Sequence, residues 1–175
     1  MTNSDLEIIN SMNEYIQNFL EKPHHVFGNM PVCPFVEKAR LQNRPILYQV
    51  YQFSNHYNLH LNSDLLKLID DFRASLSYEV MLIIHPDKQA MTLDESKQFT
   101  ERLNQIISPT GLIAFAGNFN DSFNIQGVYT RQAPYIHLTI QTDKSIKIAS
   151  ELLLKTRYYQ NWSAENLKYV GFPRN

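Results

Sequence analysis

Residues 78–84, Tyr-Glu-Val-Met-Leu-Ile-Ile, are nearly continuously apolar and stop abruptly at His85-Pro86-Asp87. That is the pattern of a strand covered on both faces, not of one with a face in water. Such a strand demands a layer of structure on either side of its sheet, and the flanking sequence supplies the layers. Before it, residues 46–53 alternate and are rich in aromatic and β-branched side chains, which predicts a strand, with Tyr48 and Val50 assigned to opposite faces. Asn62 or Ser63 then caps a helix whose Leu65, Leu68, Ile69, Phe72 and Leu76 form one stripe. After it, Thr92 and Glu95 form a capping box for a helix that turns Phe99, Leu103, Ile106 and Ile107 inward until Pro109 and Gly111 end it.

A strand at 112–116 follows, then a polar, Asn-rich and aromatic stretch at 117–134 whose middle has room for a short strand. Long irregular segments inside domains are commonly functional, and Phe119, Phe123, Tyr129 and Tyr135 argue against disorder here. Ile136, Leu138 and Ile140 alternate with His137, Thr139 and Gln141 in a half-buried strand, ahead of a helix at 145–157 and a small capped helix from Ser163. At the other end, Ser4 with Glu7 reads as a capping box. Leu6, Ile9, Ile16, Phe19 and Leu20 then predict one helix over 5–21, closed by Pro23. The segment 22–34, with three prolines and Gly28, reads as a connection delivering Cys33 to a turn or helix at 35–41.

This order predicts an α/β fold: a mixed sheet of about four or five strands flanked by helices. The βαβ–α–ββα sequence of elements is thioredoxin-like, although Pro134 precedes the last strand and there is no second cysteine. A chain of 175 residues is long enough to bury a core as one domain over 1–175. It divides into an N-terminal helix (1–22), an α/β core (45–157) and a C-terminal tail (158–175).

Sixteen Lys and Arg against seventeen Asp and Glu leave a formal charge of −1, so no general field draws in nucleic acid or anionic membrane. Residues 1–10 lack a cationic start and an apolar stretch, and no apolar run is long enough to cross a bilayer, which predicts a cytoplasmic protein. One cysteine excludes an internal disulfide, and no zinc-ligand spacing is present. His24, His25, His56 and His60 fall in no ligand motif and read as loop histidines, so no metal site is predicted, and the residues name no cofactor. Nucleotide-binding glycine motifs, Gly-x-Ser-x-Gly and His-Glu-x-x-His are also absent.

Four groups remain for chemistry. Cys33 precedes a helix start, where backbone N–H groups and the dipole stabilise a thiolate and lower its pKa; the alternative is a small buried hydrophobe. His85 stands where a buried strand ends, a place that binds ligands in open α/β sheets, or it is simply hydrogen-bonded to its loop. Arg131, between Tyr129 and Tyr135, offers a bidentate fork to a carboxylate or phosphate, or clamps its own loop. His137 shares a face of the last strand with Tyr135 and Thr139, a row that lines a cleft if that face is covered. The tail Thr156-Arg157-Tyr158-Tyr159-Gln160-Asn161-Trp162 packs on the domain or forms a homodimer contact.

The runs Met30-Pro31-Val32-Cys33-Pro34-Phe35-Val36, Ile84-His85-Pro86 and Tyr129-Thr130-Arg131-Gln132-Ala133-Pro134-Tyr135, then His137-Leu138, resemble an uncharacterised bacterial domain-of-unknown-function family. That family has a Leu-Cys-Pro-Phe start, a His-Pro after a buried strand, and a Tyr-Thr-Asn-Arg-Ser-Pro-Tyr-Pro run leading to a His-Leu strand. The likeness spans about residues 30–141 in the same order. This chain lacks the Asn before the Arg and the Pro after the final Tyr. The resemblance implies no activity. It implies that Cys33, His85, Arg131, Pro134, Tyr135 and His137 belong to one constellation.

The expectation is a small enzyme or binding protein acting on an anionic small molecule. Cys33, His85 and His137 would be the catalytic thiol and imidazoles, and Arg131, Tyr129 and Tyr135 the ligand contacts. Two other readings stand beside it: a metal- or haem-dependent enzyme using Cys33 with His85 or His137, and a partner-binding module using the aromatic loop 117–135.

Overall fold

The Thr2 hydroxyl accepts the Asp5 amide at 3.1 Å while the Asp5 carboxylate accepts the Thr2 amide at 2.7 Å. This reciprocal cap opens α1 (Asn3–Tyr15) two residues ahead of the predicted Ser4–Glu7 box. The structure, a computed structural model, describes residues 2–41, 45–54, 63–75 and 77–172. The predicted single helix over 5–21 divides: Ile16–Leu20 form a π-helical turn, in which the Glu21 amide reaches back to the Ile16 carbonyl at 2.9 Å.

The connection that follows is more ordered than its prolines suggest. β1 (Pro23–His24) pairs antiparallel with β2 (Met30–Pro31) around a 3-10 turn at His25–Phe27. The turn closes on Gly28 at φ 66°, where a Cβ would lie 2.8 Å from the Arg157 carbonyl oxygen, so only glycine fits. Then come α2 (Val36–Leu41), β3 (Ile46–Val50), α3 (Ser63–Ala74), β4 (Val80–Ile84), α4 (Leu93–Ile107) and β5 (Leu112–Gly117). A small hairpin, β6 (Asn124–Ile125) with β7 (Val128–Tyr129), occupies the middle of the predicted loop, and β8 (His137–Thr142), α5 (Asp143–Leu154) and α6 (Ala164–Tyr169) complete the chain. The expected Thr92–Glu95 box caps α4, and Ser163 caps α6. Asn62, Leu76, His56 and His60 lie outside the described residues.

The sheet runs β3-β4-β8-β5. β3 and β4 are parallel, and β8 is antiparallel to both of its neighbours, which makes the fold the predicted mixed α/β sheet flanked by helices. The thioredoxin-like element order is present, but the first strand stands at an edge, so the likeness is one of order along the chain and not of sheet topology. Both crossover helices lie on one face, as successive right-handed crossovers in one direction require. There Leu65, Ile69 and Phe72 of α3 and Phe99, Leu103 and Ile107 of α4 pack on Met81, Ile83, Ala114, Leu138 and Ile140.

The opposite face carries α1 and the π turn, whose Ile8, Met12 and Ile16 pack on Ile46, Leu82 and Ile84. β4 is thus covered on both sides, which accounts for its apolar run. Tyr48 and Val50 both join the α1 side; assigning them to opposite faces was an error of register, since residues two apart share a face. A third cluster, including Val26, Phe27, Val32, Leu153 and Tyr158, lies over the β8 and β5 half of this face. Among the described residues no helix is long and apolar enough to cross a membrane.

The edge of β5 is closed by a side chain. The Asn104 carboxamide donates to the Ala114 carbonyl at 2.9 Å and accepts the Ala114 amide at 2.8 Å, standing in for a neighbouring strand. Asn104→Ala removes both bonds at a half-buried position. It is expected to lower stability by about 1–3 kcal/mol, seen as a shift of the urea midpoint at unchanged slope. A change under about 0.5 kcal/mol would mean that water replaces the amide at no loss.

Candidate functional site

The register of β8 with β5 sets Gly117 opposite His137 and Phe115 opposite Thr139. Because side chains alternate, Leu138 and Ile140 enter the α3/α4 core while His137 and Thr139 face the other way. That face is covered, and His137 and Thr139 of the predicted polar row floor a cavity of about 340 Å³. Its walls come from Tyr15 and Leu20 around the π turn, from Val32 to Phe35, from Thr130 and Arg131, and from Tyr158, Tyr159 and Trp162 of the tail. π turns recur at functional sites because they re-aim side chains within a helix.

Gly117 makes room for the imidazole. A Cβ at 117 would lie 2.6 Å from His137 Nε2 and 2.7 Å from Nδ1, so the ring lies directly over the strand backbone. His137 Nδ1 is 3.1 Å from the Tyr135 carbonyl oxygen. A carbonyl only accepts, so Nδ1 carries the proton and Nε2 is left as an acceptor. Burial holds the imidazole pKa below its ordinary value, with the Tyr135 carbonyl opposing in part.

Cys33 is fixed from both sides. Its amide donates to the Leu20 carbonyl in the π turn at 2.8 Å, and its carbonyl accepts the Val36 amide at 3.2 Å. Arg40 grips Glu21 through two bonds of 2.7 and 2.9 Å, tying α2 to the end of the π turn across this segment. The thiol does sit ahead of a helix and is stabilised as thiolate by the Phe35 and Val36 amides. Burial nonetheless dominates and pushes its pKa up, and the Glu21 charge adds to the rise. The expected fall toward neutrality is therefore corrected: the Phe35 and Val36 amides, at the entry to the six-residue α2, do not offset desolvation.

Arg131 is held by aromatic faces. Its guanidinium carbon lies 4.5 Å from the Phe123 ring centre and 5.1 Å from that of Tyr169, and the two rings are stacked 5.0 Å apart. Among the described residues no ion pair engages Arg131. It borders the cavity and also a neighbouring hollow of about 240 Å³ whose walls include Lys97, Thr100, Glu101, Asn118 and Asp121. Stacking fixes the plane of the fork and leaves its edges for hydrogen bonds.

Three of the six predicted site residues thus meet, and three do not. His85 lies one residue beyond Ile84, the partner of His137 in the ladder, and so projects from the opposite face. It is buried with its ring edge-on to Phe53 at 5.1 Å, and its Nδ1 lies 2.9 Å from the Asp87 carbonyl and 3.0 Å from the Asp87 amide, the loop-bonded role. Tyr135 packs with the α1-side core under the Lys88 ammonium, 4.4 Å from its ring centre. Tyr129 is exposed on the small hairpin. Neither tyrosine borders the cavity.

Sequence reasoning missed Gly117, Tyr15 and the tail aromatics as site residues. A glycine ending a strand was the available signal for the first. Nothing local marked the others. Tyr158 packs as expected of tail aromatics, stacking on Phe27 at 5.3 Å and donating its hydroxyl to the Val32 carbonyl at 2.6 Å, and the same ring walls the cavity. His24 and His25 stack on each other at 4.5 Å, and among the described residues no group of three His, Cys, Asp or Glu is placed to hold a metal ion.

Two outcomes are expected. With its pKa raised, Cys33 carries less thiolate near neutral pH than a free cysteine. Iodoacetamide should alkylate it at least about tenfold more slowly than free cysteine, with the difference abolished in urea; a faster rate in the folded protein would mean that the amides win. For His137, the unfolded chain takes up a proton as pH falls through 6.5 while the native state refuses it until its lower pKa is reached. Stability therefore declines through that window and levels off below it. Asp5 and Glu95, whose carboxyls their caps hold low, titrate further down. His137→Asn should flatten the fall in denaturation midpoint between about pH 7 and pH 5.

No family model, no curated protein and no solved structure matches this chain. Functional assignment accordingly rests on the cavity itself.

Proposed function

We propose that the protein binds a small anionic molecule with an apolar body, its acid group received by Arg131 and its body by the aromatic walls. The observation that carries this reading is the meeting of Cys33, Arg131 and His137, from three distant stretches of chain, on one cavity. The volume suits a small molecule, and the composition of the walls, mostly apolar with a few convergent polar groups, is that of ligand sites. A guanidinium that no ion pair engages among the described residues, and that is fixed in plane, supplies the anion's partner at a reduced ordering cost. Cys33, with its raised pKa, serves as part of the apolar wall in this reading and not as a nucleophile.

The metal or haem alternative retains only the Cys33 and His137 pair, because His85 lies across the sheet. The partner-binding alternative retains Phe119 and Tyr129 as exposed aromatics, since Phe123 and Tyr135 are packed.

Trp162 is the single tryptophan and borders the cavity, so its emission reports occupancy. Titration with 3-phenylpropanoate is expected to change that emission saturably, and Arg131→Gln to weaken binding at least about tenfold. The neutral 3-phenylpropanamide should bind both proteins alike. Equal affinity of the acid for both proteins would place the anion elsewhere, and the absence of any saturable change would remove the cavity as a site for such acids.

A further inference from the structure

We infer that the ligand of this cavity carries, besides its acid, a hydroxyl or N–H group that donates a hydrogen bond to His137 Nε2. This rests on the preceding reading and narrows it to aromatic acids bearing a donor. The polar atoms that reach the cavity are few, and most are already engaged. The Tyr15 hydroxyl donates to the Thr130 carbonyl at 3.3 Å and that of Tyr158 to the Val32 carbonyl at 2.6 Å. Both phenols have pKa values raised by burial and stay neutral. Arg131 offers donors only.

The Trp162 indole N–H has no acceptor among the described residues and also offers a donor only, which leaves β8 to supply acceptors. The His137 Nδ1 proton is committed to the Tyr135 carbonyl, so Nε2 is an obligate acceptor, and among the described residues no donor is bonded to it. The Thr139 hydroxyl, next along the same face of β8, is likewise without a partner among the described residues. Gly117 keeps the ring in place, because any side chain there would displace it. A glycine given over to seating one imidazole, with its tautomer set from behind, builds a directional acceptor into an otherwise apolar chamber.

Such an acceptor selects. A ligand that presents a hydroxyl or N–H gains a bond inside a site that water leaves, whereas one that presents a methyl leaves Nε2 unpaired. A carboxylate on Nε2 requires a protonated ring, which burial opposes, so the acid is directed to Arg131 and the donor to His137. The aromatic character follows from the walls, where Tyr15, Phe35, Phe115, Tyr158 and Trp162 present rings.

The test compares, by calorimetry on the full chain, 3-phenylpropanoate with its 2-, 3- and 4-hydroxyphenyl analogues and their methyl ethers. At least one hydroxylated isomer should bind about tenfold or more tighter than the parent, with its ether no tighter than the parent. His137→Phe should erase that preference, the hydroxylated isomer then binding no tighter than the parent, and Thr139→Val should preserve it. In histidine labelled with nitrogen-15, the Nε2 resonance of wild-type His137 should move upfield on binding the preferred isomer and not on binding the parent. That measurement decides the matter even where the His137 variant does not fold. Parent and hydroxylated acids binding equally, or a preference abolished by Thr139→Val alone, would overturn the inference and leave the acid site standing. Failure of every acid to bind would take both down together.

Discussion

Everything at the site depends on β8 lying antiparallel between two strands that run parallel to each other. Its ladder sets Ile84 on one side and Gly117 on the other opposite His137, so the ring's surroundings are fixed by register. A slip of one residue would send His137 and Thr139 into the α3/α4 core and turn Leu138 and Ile140 onto the cavity floor. Both exchanges bury unpaired polar groups or strip apolar contacts, and the register is therefore strongly specified.

The second governing effect is desolvation. Around the cavity it pushes four groups in the direction that suppresses charge: the Cys33 thiol and the Tyr15 and Tyr158 phenols are pushed up, the His137 imidazole down. Tyr48, under α1 and bonded to Asn13 at 2.6 Å, follows the same rule and is pushed up to about 12. Among the described residues Arg131 is the cation that borders the cavity, and it lies against the Phe123 and Tyr169 faces. The chamber thus combines neutral polar atoms with one fixed positive charge, a division of labour that orients a ligand with an acid at one point and a donor at another.

The supports of the site are spread along the chain. A π turn, a two-bond ion pair, a glycine pressed against Arg157 and a tail of stacked aromatics each hold one wall. Asn161 and Asn166 add bonds of 2.8 Å each from the tail to the Val26 and Asn124 carbonyls. Tail and loop aromatics that a sequence presents as unspecific packing thereby become cavity walls, because one face of each ring packs while another part borders the chamber.

Periodicity and capping chemistry are local, and so the strands at 80–84 and 137–142, the α4 box and the polar row of His137 and Thr139 could be read from the residues alone. The same locality explains the misreadings: two competing caps lie within the first seven residues, and the widening at Ile16 leaves no trace in a 3.6-residue stripe. Cys33, Arg131 and His137 were nameable as chemistry-bearing groups, but not as neighbours. Their meeting, the removal of His85 to the far face, and the neutral state of the thiol follow from strand order and burial, which depend on contacts between residues far apart in the chain. Residue identity determined which groups were able to act, and the tertiary structure decided which of them share a solvent-poor space, since desolvation and register exist only once the layers are assembled.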